Sequence, residues 1–231
     1  MKIRRILMIV AVLIGCLQMG AREFTLPLGQ FNKVSIDDNV NVVYVGASGT
    51  PSRVTYEGDS KYSKAFIITQ NGEKIKIQVE TPFVGDPELP TLYVYSDFLM
   101  HASISSESTL TIQSAAPASE ICLSLMGNGA IAANDLRATK IIASVKSGNG
   151  SITVSGHCEQ ANFTMIGSGT IQCDRLEAAN VSCKILGGGS IGCWPVNTLK
   201  VRGIGSTKIY YKGTPEINKK GGGKLFTLET E

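Results

Sequence analysis

Histidine, tryptophan and surplus charge are what this 231-residue sequence has least of: it holds two histidines, one tryptophan and eight prolines, and only 6% of it is aromatic. Each scarcity removes a class of chemistry. His101 and His157 are not spaced with further ligands as metal sites require, so a structural or surface role is expected for both. A cysteine nucleophile needs a histidine base, and neither histidine can be assigned to one. Glycosidic cleavage wants two carboxylates across a cleft beside an aromatic platform, whereas no carboxylate pair recurs around Trp194-Pro195. Trp194 is accordingly expected to pack on the rod surface or at a corner, with sugar stacking its less favoured role. No catalytic, cofactor-binding or metal-binding residue is expected, and the chain is not expected to be an enzyme.

Long apolar runs are missing beyond residue 21. Before it, Lys2, Arg4 and Arg5 precede an uncharged stretch, residues 6–14, too short to span a bilayer. Residues 1–21 therefore look like an export signal. Two cleavages are open: Leu13-Ile14-Gly15-Cys16 is a lipobox pattern that would leave a lipid-modified Cys16, and Met19-Gly20-Ala21 is an imperfect site for ordinary signal peptidase. Either cut takes three of the 22 basic residues and leaves as many as the 19 acidic ones, so the formal charge of +3 falls to zero. Without net positive charge, nucleic-acid binding is not expected. Five cysteines follow Cys16, an odd number that argues against a complete disulfide framework.

What the chain has instead is glycine, 25 residues of it, in a repeat. Gly127-Asn128-Gly129, Gly148-Asn149-Gly150, Gly167-Ser168-Gly169 and Gly187-Gly188-Gly189 each precede one residue and then an isoleucine: Ile131, Ile152, Ile171 and Ile191. Degenerate copies are Ser106-Glu107-Ser108-Thr109-Leu110, Gly205-Ser206-Thr207-Lys208-Ile209 and Gly221-Gly222-Gly223-Lys224-Leu225. Successive starts differ by 21, 21, 19, 20, 18 and 16 residues. Leu136, Leu176 and Val196 lie five residues past the key isoleucines, with His157 the exception. Before the corners, apolar residues alternate as in half-buried strands: Ile121, Leu123 and Leu125; Phe163 and Met165; Val181, Cys183 and Ile185. The coil ending at Gly148 shifts this phase by one, as a β-bulge would.

A unit of about 20 residues cannot bury its apolar side chains alone. Stacking solves this, because each strand pairs in parallel with its equivalent one coil on, at roughly 4.8 Å, and like residues pile into interior ladders. The expected fold is all-β, a parallel β-solenoid of about seven coils over residues 101–231. Residues 22–100 lack the glycine unit but alternate, and Asn71-Gly72 between Ile67-Ile68 and Ile75-Lys76-Ile77 marks a hairpin. That region is expected to form opening coils or an antiparallel cap over the edge of the rod, with residues 81–90 as a loop.

The repeated Gly-x-Gly-x-Ile, the closing Ile209-Tyr210-Tyr211-Lys212-Gly213-Thr214-Pro215 and the terminal Gly221-Gly222-Gly223-Lys224 resemble the "putative auto-transporter adhesin, head GIN domain" family of Bacteroidetes. Phe31-Asn32-Lys33-Val34-Ser35-Ile36 is similar to the family's start, and Leu92-Tyr93-Val94-Tyr95 to its mid-domain strand. The resemblance implies a parallel β-helical fold, an extracytoplasmic location and an adhesive role, and brings no catalytic residues with it.

Competing motifs are weaker. A phosphate loop at Gly221-Gly222-Gly223-Lys224 would need Ser or Thr where Leu225 stands, and Asp135 and Asp174 occupy only two coils, whereas a calcium roll places aspartate in every turn. Both aspartates are expected in turns. Cys173 and Cys193 stand one coil apart with Cys183 between; their spacing allows a disulfide, and reduced interior thiols are favoured. The expected function is a non-catalytic binding or adhesion module for an extracellular protein or glycan. A periplasmic structural role, or that of an envelope-maintenance protein, is the alternative, and a carbohydrate-active enzyme a distant third. The expected location is the periplasm or the surface of a Gram-negative cell. If Cys16 is lipidated, Cys16→Ser should shift the protein from the membrane to the soluble fraction, because bacterial lipoproteins carry enough acyl chains to anchor stably. Fractionation with mass spectrometry of the mature N-terminus checks this; an unmodified chain beginning at Arg22 would mean ordinary cleavage.

Overall fold

The computed structural model describes residues 22–46 and 49–229, which form one 17-stranded sheet curled into a solenoid. Residues 1–21, Cys16 and both cleavage points among them, lie outside the described residues. No described helix is long and apolar enough to cross a membrane.

The glycine repeat forms the rod. Strands β11 (Ala130–Ser147), β12 (Ser151–Met165), β13 (Thr170–Ile185) and β14 (Ser190–Gly203) each run most of the way around one coil, and together with the shorter β10 (Ala118–Met126) they pair in parallel from each coil to the next. Beyond them, β15 (Lys208–Tyr211) and β17 (Lys224–Thr227) continue one ladder, and β16 (Glu216–Gly221) the other. The solenoid makes about six turns.

The key isoleucines stack as expected. Ile131, Ile152, Ile171, Ile191 and Ile209 are register neighbours in successive coils, and all are essentially inaccessible to solvent. The opposite wall is a second ladder of Leu125, Val145, Met165 and Ile185. The expected bulge is there: Leu125 pairs with Val145 but Met126 with Ser147, so Lys146 is the extra residue. Two positions depart from the repeat. Gly156, not His157, aligns with Leu136 and Leu176, and a shorter fourth coil pairs Ala178 with Pro195, leaving Val196 48% exposed rather than interior.

Glycine at the corners is required by close approach. A Cβ at Gly169 would sit 2.1 Å from the Gly150 carbonyl oxygen, and one at Gly189 would sit 2.0 Å from that of Gly169, although neither has positive φ. Corner backbones stack so tightly that no side chain fits between them. Where Thr207 replaces glycine, it is buried and its Oγ1 donates to the Gly187 carbonyl at 2.8 Å.

The N-terminal region supplies both opening coils and an antiparallel cap, in an order the sequence does not reveal. Strands β2 (Lys33–Ile36) and β3 (Val42–Gly46) form one rung; β6 (Lys74–Val79) and β7 (Leu92–Ser96) stack on one side of it, and β8 (His101–Ile104) and β9 (Thr109–Ser114) on the other. The rung at the end of the rod is therefore not the first in the chain. It is covered by antiparallel strands: β5 (Phe66–Asn71) on β6 through the Gly72 turn, and β4 (Arg53–Gly58) on β7 with β1 (Arg22–Pro27) outside it. Phe24 stacks on Tyr56 at 4.8 Å and Phe66 meets the same ring edge-on at 5.0 Å, sealing the cap. The far end is guarded by charge. Lys219 stands in register over buried Val201 and donates from its exposed ammonium to the Gly221 carbonyl at 3.1 Å, a charge on the edge strand that discourages a further strand from pairing.

Among the described residues the buried apolar core runs from Phe24 to Ile209. Ile152→Ala and Ile171→Ala should each cost about 2–4 kcal/mol through lost burial plus a cavity. Urea melts of the two variants check this; parent-like stability in both would contradict the ladder.

Candidate functional site

The coils are not flat ovals. After the isoleucine strand, each backbone bends at a register shift: between Ala133 and Leu136, between Thr153 and Ser155, and between Cys173 and Glu177. Asp135 takes φ of 50° there, but it lies within β11 and Asp174 within β13, so both sit at strand bends rather than in the turns expected of them. Gly156, with φ of 130°, lets its coil pass close over Leu136, whose carbonyl oxygen would lie 2.0 Å from a Cβ.

Beyond the bend, small residues stack in register: Ala118, Ala138, Cys158 and Ala178, then Pro195. Their short side chains leave a shallow trough of about 750 Å³ along the rod. Arg137, His157 and Glu177 line it from the residue before the small one, and Thr139, Glu159 and Ala179 from the residue after. His157 Nε2 lies 3.5 Å from Glu177 Oε2, and Arg137 is tied to Asp135 at 3.3 Å. A second hollow of about 370 Å³ shares Pro117 and Ala118 with the trough and continues towards the cap, lined by Phe31, Asn32, Glu73, Phe98 and Met100. Asn32 donates to Glu73 at 2.9 Å while its Oδ1 is buried with no hydrogen-bond partner. The sequence does carry a signal for this surface, a small residue recurring every 20 positions. Attention to the larger isoleucine and glycine repeat passes over it.

The residues singled out from the sequence fall in three groups. Trp194 pairs with Glu177 on the flank of the trough, half-buried, with Lys212 Nζ 5.6 Å above its ring; Lys212 also reaches Asp174 at 4.0 Å. Its face is thus already occupied by a cation. The glycines of the phosphate-loop pattern spend their amides within the rod, Gly222 N–H donating to Gly203 O at 2.7 Å and Gly223 N–H to Gly205 O at 3.1 Å, so no amide cradle is left for a phosphate. Among the described residues no group of His, Cys, Asp or Glu is placed to hold a metal ion.

The thiols form the third group. All five described cysteines are free, and Cys173 and Cys193 are register neighbours in the core, with Cys183 also buried and hydrogen-bonded to Cys193. Burial pushes the Cys173 thiol well up; for Cys183 the hydrogen bond to Cys193 acts with burial in the same direction. Cys158, on the trough floor, is raised by burial to about 11. At neutral pH it is a thiol, which is a poor nucleophile.

These features sit in a chain whose residues 30–215 match the model of the family described as "Putative auto-transporter adhesin, head GIN domain". The chain belongs to this family. Solved structures similar to this head GIN domain include a putative adhesin from Bacteroides fragilis, at 16% identity and a TM-score of 0.78, and one from Parabacteroides distasonis, at 20% identity and 0.72. A putative lipid binding protein from Parabacteroides distasonis is similar at 18% identity and 0.71. Each alignment covers 91% of this chain and 98% of the other. At these identities the likeness concerns the fold. No match is found among curated proteins.

In the native head GIN domain, Cys173, Cys183 and Cys193 should resist a thiol reagent that modifies all five described cysteines once urea is added. Because burial raises the folded pKa values of Cys173 and Cys183 above the ordinary value of 9.0, the unfolded chain loses these two protons first as pH rises. Their contribution to stability is full below about pH 9 and falls progressively above it. Urea midpoints at pH 8 and pH 10.5 should therefore differ, the latter lower, and a Cys173→Ala/Cys183→Ala variant should narrow the difference.

Proposed function

We propose that the protein is an exported, non-catalytic binding module that holds an extended ligand, a glycan chain or an unfolded stretch of protein, along the trough over Ala118, Ala138 and Cys158. Membership of an adhesin family supports a binding role outside the cytoplasm. The observation that carries the reading is the trough itself, an elongated concave surface on a rigid ladder, with charged and hydrogen-bonding side chains along its flanks and an unspent acceptor at Asn32 Oδ1 in its continuation.

The chemistry of the trough favours holding over cutting. Its cysteine is protonated at neutral pH. Its imidazole faces a carboxylate across 3.5 Å on an exposed ridge rather than in a closed, water-excluding site. A shallow, repetitive surface with many equivalent contacts suits avidity along a polymer.

Ala138→Trp would fill the trough at its centre. Binding to a panel of glycans and matrix proteins, read by surface plasmon resonance, should fall at least tenfold for whichever ligand the parent binds, because displaced ligand loses its contacts over several coils. Thermal melts should stay close to the parent. Unchanged binding by a folded variant would place the ligand elsewhere, and reproducible breakdown of a panel glycan would replace the non-catalytic reading.

A further inference from the structure

A chain without net charge once its signal is removed still gathers cations on one face. The outward row of the pre-corner ladder runs in register through Ser144, Thr164, Lys184, Arg202 and Lys220. Lys200 stands two residues before Arg202 on the same strand and faces the same way. Lys184, Lys200, Arg202 and Lys220 are all exposed, and none has an ion-pair partner among the described residues. The acidic residues elsewhere on this ladder differ: Asp37 and Glu120 are each held by a lysine at 2.8 Å, and Glu216 lies at the margin opposite Thr198. Like charges stacked directly on neighbouring strands repel. Lys184, Arg202 and Lys220 do so with nothing in the fold to offset it. Towards the cap, burial holds the His101 pKa below the ordinary value, and the field of Lys74, Lys146 and Lys33 acts in the same direction.

Beside this row runs an apolar edge. Ile166, Leu186 and Ile204 each stand immediately before the glycine corner of successive coils, where alternation calls for an outward polar residue. Their amides donate to the coil below in equivalent fashion: Ile166 to Val145, Leu186 to Met165 and Ile204 to Ile185, at 2.8–2.9 Å. They are 44%, 51% and 79% exposed, and Met126 adds 44% at the same place nearer the cap. Single exposed aliphatics are ordinary, but three in register, one coil apart and bordering unpaired cations, are not.

We propose that this edge docks on an anionic lipid surface, with Ile166, Leu186 and Ile204 entering the headgroup boundary while Lys184, Lys200, Arg202 and Lys220 meet the lipid phosphates. Charge complementarity calls for an anionic partner, and the aliphatic ridge selects lipid over a soluble polyanion, which would gain nothing from Ile204. Amphipathic surfaces bind membranes through this pairing of inserted apolar area and cationic contact. The surface is separate from the trough, so either reading can fail without the other.

The test uses residues 22–231, which carry the whole described core, with vesicles of phosphatidylcholine alone or with 30% phosphatidylglycerol. Sedimentation with the anionic vesicles only, weakened by raised salt, is expected. Lys184→Gln/Arg202→Gln/Lys220→Gln should weaken binding on the order of 100-fold. Leu186→Ser/Ile204→Ser, with charge unchanged, should weaken it about tenfold or more while leaving elution from heparin unaltered. These side chains are exposed, so melts of both variants should be no lower than the parent's. Failure to sediment with anionic vesicles overturns the proposal. So does equal vesicle binding by the serine variant, which would make the face a site for soluble polyanions, nucleic acid included.

Discussion

Everything in this molecule depends on parallel stacking of one coil on the next at the spacing of a β-ladder. Hydrogen bonds between coils satisfy backbone groups that a 20-residue unit cannot satisfy within itself, and the same stacking puts isoleucine on isoleucine in a dry interior. The constraint is strictest at the corners. There the Gly169 and Gly189 backbones approach the coil below so closely that a single methyl group would collide with a carbonyl oxygen. Glycine is therefore the condition for stacking, and the isoleucine ladder is its return.

Stacking copies every surface feature along the rod, and both candidate surfaces arise this way. A small residue at one position becomes a trough over Ala118, Ala138 and Cys158. An aliphatic residue before a corner becomes a ridge through Ile166, Leu186 and Ile204, and a basic residue becomes a charged row. Repetition also exposes two rod ends, and the protein treats them differently. Antiparallel strands and the Phe24–Tyr56–Phe66 cluster cover one, whereas Lys219 puts a charge over the other.

Much of the fold could be read directly from the residues. The Gly-x-Gly-x-Ile unit predicts strand, corner and ladder together, because side-chain alternation and glycine at a tight corner are local consequences of backbone geometry. The phase slip before Gly148 located a bulge, and Asn71-Gly72 a hairpin. Regular spacing misled where coil length changed: Val196 holds the numerical position of Leu176 but lies outside, since the fourth coil is shorter at the bend.

The candidate site was far less legible. Trp194 and the histidines draw attention as rare residues, yet the trough is floored by alanines, whose importance lies in what they leave empty. Net charge showed no basic face, because a total has no direction; only the register of β13, β14 and β16 brings Lys184, Arg202 and Lys220 onto one row. The placement of β6 and β7 beyond β2 and β3 was likewise invisible. By itself the sequence determined the repeating unit, the identity of the buried ladder and the absence of any recognisable catalytic motif, since these follow from period and residue type. Tertiary structure alone decided which rung ends the rod and which exposed residues share a face, because those depend on pairing between strands far apart in the chain.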